Sequence, residues 1–264
     1  MSRRSACADV LRRRALAGAA AVVLLPLLPA HAAQQQDPRL GRYEARTIVT
    51  GTDLRSRPTG FAACLTDVLV KVSGDPTLAE DRRLPALTAH ADRLVAGYDY
   101  WDRMSGIPHH DEQGSSDRPY NLTVRFDPAR IDAALRELGR APWPDPRPPV
   151  ELAVQVQAHN GAFALTGAEP RADGMRAAIA ESGAKYGLAV SVPPSPGAAA
   201  PPGSVTVPGS LVLSEAALGW VGTWHLDWRG RVYEWRISGV NFDAAFRDAV
   251  AGALQVMSGH GAPR

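Results

Sequence analysis

Apolar and polar positions switch period several times along this chain, and each switch marks an element. Tyr43 to Thr50 alternates as a strand, closed by Thr50-Gly51-Thr52-Asp53. Beyond Pro58, the apolar positions Phe61, Leu65, Val68 and Val72 recur at helical spacing, with Gly74 as the stop. Leu84 to Gly97 predicts a second helix on the stripe Leu87, Ala91, Leu94 and Val95, and Tyr98 to Arg103 a short edge strand. Residues 105–119, rich in Gly, Ser, Asp and Pro, predict a loop. In Tyr120 to Phe126, Leu122, Val124 and Phe126 share one face of a strand. Asp127 then caps a helix with Pro128 at its first position, the stripe Ile131, Leu135 and Leu138, and Gly139 at its end. This half reads β-α-α-β-β-α.

Ala141 to Pro149 holds five prolines, which exclude helix and resist a central strand. It divides the chain into an N-terminal lobe, 43–141, and a C-terminal lobe, 150–258, with 142–149 as a semi-rigid connector and 259–264 as a tail. The second lobe opens with a strand over Val150 to Gln157, a turn at His159-Asn160-Gly161 and a weak strand over Phe163 to Thr166. A helix over Gly174 to Tyr186 and a short strand over Leu188 to Val192 follow, an order that predicts a parallel pair with a crossover. Residues 193–209, with six prolines and three glycines, read as a flexible surface loop.

The hairpin near the end is the most legible part. With Arg229-Gly230 as a two-residue turn, Trp228 pairs with Arg231, Leu226 with Tyr233, Trp224 with Trp235 and Gly222 with Ile237. That register puts the whole apolar set on one face and His225 opposite Glu234 on the other. Asn241 caps a last helix whose stripe (Phe242, Phe246, Ala249, Val250, Ala253, Met257) predicts a cover for the aromatic face. The fold class is therefore α+β, α/β-like, in two packed lobes, the second a β-α-β unit plus the aromatic hairpin and a closing helix.

Composition changes this picture mainly at the N-terminus. Five arginines (Arg3, Arg4, Arg12, Arg13, Arg14) precede the apolar run Ala15 to Leu28, which is short for a bilayer span. Ala30-His31-Ala32 then supplies a small-x-small cleavage site, so residues 1–32 read as a cleaved export signal and 33–42 as a polar lead-in. Arg13-Arg14 fits a twin-arginine signal only loosely, and ordinary secretion is the better match. Against Asp9, those arginines leave residues 1–32 at +4, so the whole-chain +2 becomes −2 for residues 33–264. The expected mature protein, periplasmic and without an integral membrane segment, has no electrostatic case for nucleic acid or anionic lipid. Only Cys64 outlasts cleavage, which excludes an internal disulfide. It falls in register with Phe61, Leu65, Val68 and Val72 and reads as a small core residue, a catalytic thiol being the sharper alternative.

Candidate chemistry is sparse. His109-His110-Asp111-Glu112 is the one cluster of potential metal ligands, and it lacks a second spaced pair. A solvated loop tip is the plain reading; a metal-dependent envelope hydrolase is the alternative. His225 facing Glu234 reads as a surface cross-strand pair, or as an acid/base couple. Phosphate loop, nucleophile elbow and CxxC patterns do not occur, and no cofactor is implied. Tryptophan is the remaining signal. Trp224 and Trp235 read as core beneath the last helix, whereas Trp220 and Trp228 at the hairpin ends, with Trp143 and Trp101 beside loops, are candidate binding residues.

Leu69-Val70-Lys71-Val72-Ser73-Gly74-Asp75, then Leu122 to Asp127, Trp143-Pro144, and finally Gly219-Trp220, Trp235 and Ser238-Gly239 resemble successive landmarks of the bacterial domain-of-unknown-function 2066 family, over residues 43–258. The resemblance implies an exported envelope protein and carries over no catalytic residue. The second lobe also looks like the α/β domains that open periplasmic TolB-type and curli-export-type proteins. The functional expectation is a non-catalytic binding or assembly module of the bacterial envelope whose partner is another envelope protein.

Overall fold

Leu122, Val124 and Phe126 lie buried on one side of the strand Pro119–Phe126, and the smaller of two sheets forms around them. In this computed structural model, which describes residues 40–106 and 118–264, that strand is β3. It pairs antiparallel with β1 (Glu44–Thr50) on one side and β2 (Val95–Asp102) on the other. Helix α1 (Arg57–Ser73) lays Phe61, Cys64, Leu65, Val68 and Val72 on its buried face and stops at Gly74, whose φ of 75° suits the left-handed cap. Cys64 is fully buried, and burial pushes its thiol up to about 12, so it is a core residue. Helix α3 (Pro128–Glu137) starts where expected, with Asp127 Oδ1 accepting the Arg130 backbone N–H at 3.1 Å.

The element order β-α-α-β-β-α holds, but the predicted helix over 84–97 does not. Helix α2 is only Leu84–Thr88; a 3₁₀ turn at Ala91–Leu94 follows, and β2 begins at Val95. His90 leaves the helical region (φ −121°, ψ 29°), and pairing of Val95–Asp102 with β3 overrides the helical spacing of Leu94 and Val95.

The larger sheet runs β5 (Gly161–Ala164), β4 (Val150–Ala158), β7 (Val205–Ser214), β8 (Gly219–Trp228), β9 (Arg231–Val240), and the two-residue β6 (Val190–Ser191) also pairs with β4. β4 is parallel to β6 and β7, so the expected parallel pair around helix α4 (Asp173–Tyr186) is present. The proline-rich loop ends earlier than expected: 193–209 is not all loop, because Val205 opens a ten-residue strand in the middle of the sheet. Pro208 and Gly209 disguised it. Gly209 occupies an inward position where an apolar side chain would complete the alternation, and a Cβ there would lie 2.4 Å from Trp224 Cε3. The hairpin register is the predicted one, residue for residue from Trp228↔Arg231 to Gly222↔Ile237.

Helix α5 (Phe242–Met257), capped by Asn241 Oδ1 accepting the Ala244 N–H at 2.8 Å, covers the inner face of that hairpin. Trp224 is fully buried between the two glycine gaps at 209 and 222, with Phe246 tilted against it at 6.3 Å. From one side to the other the molecule stacks small sheet, α1, α4 with α5, and large sheet. The helix layers are joined by a Lys185–Asp67 ion pair and by Ser258 Oγ donating to the Gly74 carbonyl at 2.7 Å. Residues 36–264 form one compact unit with one hydrophobic core running from Ala45 to Met257. Among the described residues, no helix is long and apolar enough to cross a membrane.

Candidate functional site

With α1 on the inner side of the small sheet, the outward residues of its strands line a face left bare by the described residues. Pairing across β1, β3 and β2 arranges them in rows: Glu44–Arg125–Gly97, Arg46–Thr123–Asp99, and Ile48–Asn121–Trp101. The last row is exceptional, because Ile48 is 56% and Trp101 60% exposed, whereas the inward Val49 and Leu122 are buried. Leu54, in the turn that leaves β1 at the same end of the sheet, is 75% exposed. That turn is rigid: Asp53 Oδ1 accepts the backbone N–H groups of Arg55 at 2.8 Å and Ser56 at 3.0 Å, and these bonds hold its carboxyl below the usual range.

Polar side chains surround this apolar row. Arg125 Nη1 lies 2.6 Å from Asp99 Oδ2 and 4.0 Å from Glu44 Oε2, and its guanidinium extends over Gly97, where no side chain obstructs it. Arg118 Nη1 bonds Asp102 Oδ2 at 2.6 Å and Arg118 Nη2 the Met104 carbonyl at 3.2 Å, fixing the end of β2 just past Trp101. Arg46 has no ion pair within the described residues. On the inner side, Phe61, Tyr98, Tyr100 and Tyr120 form an aromatic series with neighbouring centroids 5.2–6.3 Å apart, and Arg57 sits 4.8 Å over the Tyr98 ring. These contacts hold β2, an edge strand, so that Trp101 projects from a fixed backbone.

The other three candidate tryptophans stand elsewhere. Trp143 lines a cleft of about 330 Å³ with Tyr43, Val72, Pro128, Pro142 and Arg147. Its backbone N–H donates to Val72 O at 2.8 Å. Arg147 stacks 4.5 Å from its ring and donates to the carbonyls of Lys71 (2.8 Å), Val72 (3.0 Å) and Trp143 (3.2 Å); burial draws this guanidinium down to about 10. Tyr43 donates to Asp132 at 2.9 Å, with its hydroxyl raised to about 12 chiefly by burial, and Arg42 pairs with Asp145. The polar groups of the cleft therefore bond mainly to one another and tie the connector to the end of α1. Trp220 and Trp228 are half-buried at the two ends of the hairpin and pack against the core. His225 Nδ1 lies 3.7 Å from Glu234 Oε2 on the open face of the large sheet, an exposed pair. His109, His110, Asp111 and Glu112 lie outside the described residues. Among the described residues, no three His, Cys, Asp or Glu side chains group as metal ligands.

One carboxylate is placed unusually. Asp248 on α5 accepts the Trp224 indole N–H at 3.1 Å, and the Trp235 indole N–H lies close enough to favour the charged form without completing a hydrogen bond. Burial outweighs both and raises the Asp248 carboxyl to about 6.

Sequence reasoning singled out Trp101 but passed over Ile48 and Asn121, which complete its row. The signal was available: in Glu44-Ala45-Arg46-Thr47-Ile48-Val49-Thr50, Ile48 is the apolar residue in the polar phase of the strand.

A family model for a domain of unknown function, 8605, matches residues 38–144. This overturns the resemblance to the 2066 family, whose landmarks here prove to be a helix C-cap (Val72-Ser73-Gly74) and a strand-to-helix junction (Phe126-Asp127-Pro128), features common to many α+β chains. The match contains the whole small sheet with α1, α2 and α3, and ends inside the connector. No curated protein matches the chain, and no solved structure does.

Proposed function

We propose that this protein is an exported, periplasmic binding module that docks another protein of the bacterial envelope on the bare face of its small sheet. One observation carries the reading: Ile48 and Trp101, both more than half exposed, flank Asn121 in a single row across a face that no helix among the described residues covers, within a polar surround. An aromatic anchor on a rigid strand with a charged rim is the arrangement that concentrates binding energy in protein interfaces. The occupant is a protein surface with an apolar patch for Trp101 and Ile48 and a carboxylate for Arg46, a charge of this face with no ion pair among the described residues. Export rests on the arginines, apolar run and Ala-His-Ala site of residues 1–32.

The test places a photo-crosslinking residue at position 48 and, separately, at position 223 on the large sheet, in cells that export the chain. The expected result is one crosslinked protein from position 48 alone, recovered in the periplasmic fraction. That protein, purified, then binds Trp101→Ala at least about tenfold more weakly than the unaltered chain. Equal crosslinking from both positions, unchanged affinity of Trp101→Ala, or retention in the cytoplasm would overturn the proposal.

A further inference from the structure

The last strand of the large sheet is paired on one side only. β9 runs beside β8 for its whole length, and among the described residues no strand pairs with its outer edge. The turn before it settles which backbone groups that edge presents. Arg229 and Gly230, at φ 54° and 74°, form a two-residue turn closed by Trp228 and Arg231. Arg231, Tyr233, Trp235 and Ile237 therefore direct their N–H and C=O groups to β8, while Val232, Glu234, Arg236 and Ser238 direct theirs outward. A long open edge of this kind is a template for another strand.

The side chains of the outward set select which strand. Val232 is 75% exposed, and Arg236 has no ion pair among the described residues. Antiparallel pairing of the edge with itself about a two-fold axis at Trp235 sets Glu234 against Arg236 twice, and Val232 against Ser238 twice, using only outward-facing residues. The neighbouring registers are disfavoured by like charge. An axis at position 234 sets glutamate against glutamate, and an axis at position 236 sets arginine against arginine. We propose that β9 pairs in the Trp235-centred register with β9 of a second copy of this chain, so that Glu234 faces the partner subunit's Arg236 and the two large sheets become one continuous sheet. The interface is self-complementary and closes at two copies, which removes the open edge instead of propagating it. The bare face of the small sheet, on the far side of the helix layers, stays free.

Sedimentation velocity on the purified protein tests this between about 1 and 100 µM. The expected result is a concentration-dependent dimer. Glu234→Arg sets arginine against arginine and weakens it at least about tenfold; adding Arg236→Glu to the same chain restores opposite charges and the dimer. A monomer throughout, a dimer indifferent to Glu234→Arg, or a double variant that fails to recover it would each overturn the register. Thermal melts of both variants separate lost pairing from lost folding.

Discussion

Among the described residues, the small and large sheets are each covered by helices on one side and bare on the other, and the two bare faces carry different side chains. The large sheet shows water Gln155, Gln157, Thr223, His225, Glu234 and Arg236, with Val232 its one strongly exposed apolar residue. Among charged and polar neighbours, the small sheet shows an isoleucine and a tryptophan in one row. The large sheet has also enclosed two of its four tryptophans: Trp224 and Trp235 lie beneath α5, in spaces left by Gly209, Gly222 and Gly252. Tryptophan content therefore says little about binding by itself. What separates a core tryptophan from an anchor is the face of the sheet it stands on and whether a helix covers that face.

The contrast breaks first at Trp224. Trp224→Ala removes a fully buried indole wedged between two glycines and is expected to cost about 4 kcal/mol, measured by urea unfolding. A loss below about 1 kcal/mol would mean that the large sheet holds its tryptophans no more firmly than the small one. Gly252→Ala comes next. Its Cβ would sit 2.4 Å from Trp235 Cε2, so either the indole or α5 must shift, and about 2 kcal/mol is expected to be lost in the same titration.

Asp248 sharpens the comparison, because a carboxylate under the large sheet gives that region a pH dependence of its own. Its folded-state pKa of about 6 stands above the ordinary 3.8, so folding favours the protonated form. This contribution is fully present below pH ~4, declines as the pH rises toward 6, and is gone above it. Asp248→Asn keeps an acceptor for the Trp224 N–H and removes the charge. It is expected to stabilise the fold by about 1 kcal/mol at pH 8, the full linkage value being reduced by partial solvation, and to give no gain at pH 4. Melting temperatures of both proteins at the two pH values check it; equal differences at both would show that Asp248 does not titrate in this range.

Legibility in the sequence followed how local the deciding interaction was. The hairpin register, the Asn241 and Asp127 caps and the Gly74 stop depend on neighbours within a few residues, and each is where the pattern placed it. β7 was hidden because Gly209 answers to Trp224, fifteen positions away in the chain and in contact only after folding. The helix expected through Val95 failed for the same reason, since a distant strand claimed those residues. Trp101 was legible as a candidate but its face was not: helical spacing carried through Val95 hid that β2 starts there, and it is pairing with β3 that puts Trp101 beside Asn121 and outside the core.

The smallest expected effect on folding is therefore the most informative. Trp101→Ala and Ile48→Thr remove side chains that are mostly in water, so each is expected to shift unfolding free energy by less than about 0.5 kcal/mol, against about 4 for Trp224→Ala. A tryptophan that costs nothing to delete from the fold is not held there by the fold, and the solvation penalty of leaving it on the surface needs an interface to offset it. Should Trp101→Ala cost as much as a core truncation, the indole is packed against something in the free protein, and the bare face is not a docking surface. Should it cost nothing while the photo-crosslink from position 48 is lost, the row Ile48–Asn121–Trp101 is shaped by a partner and not by stability.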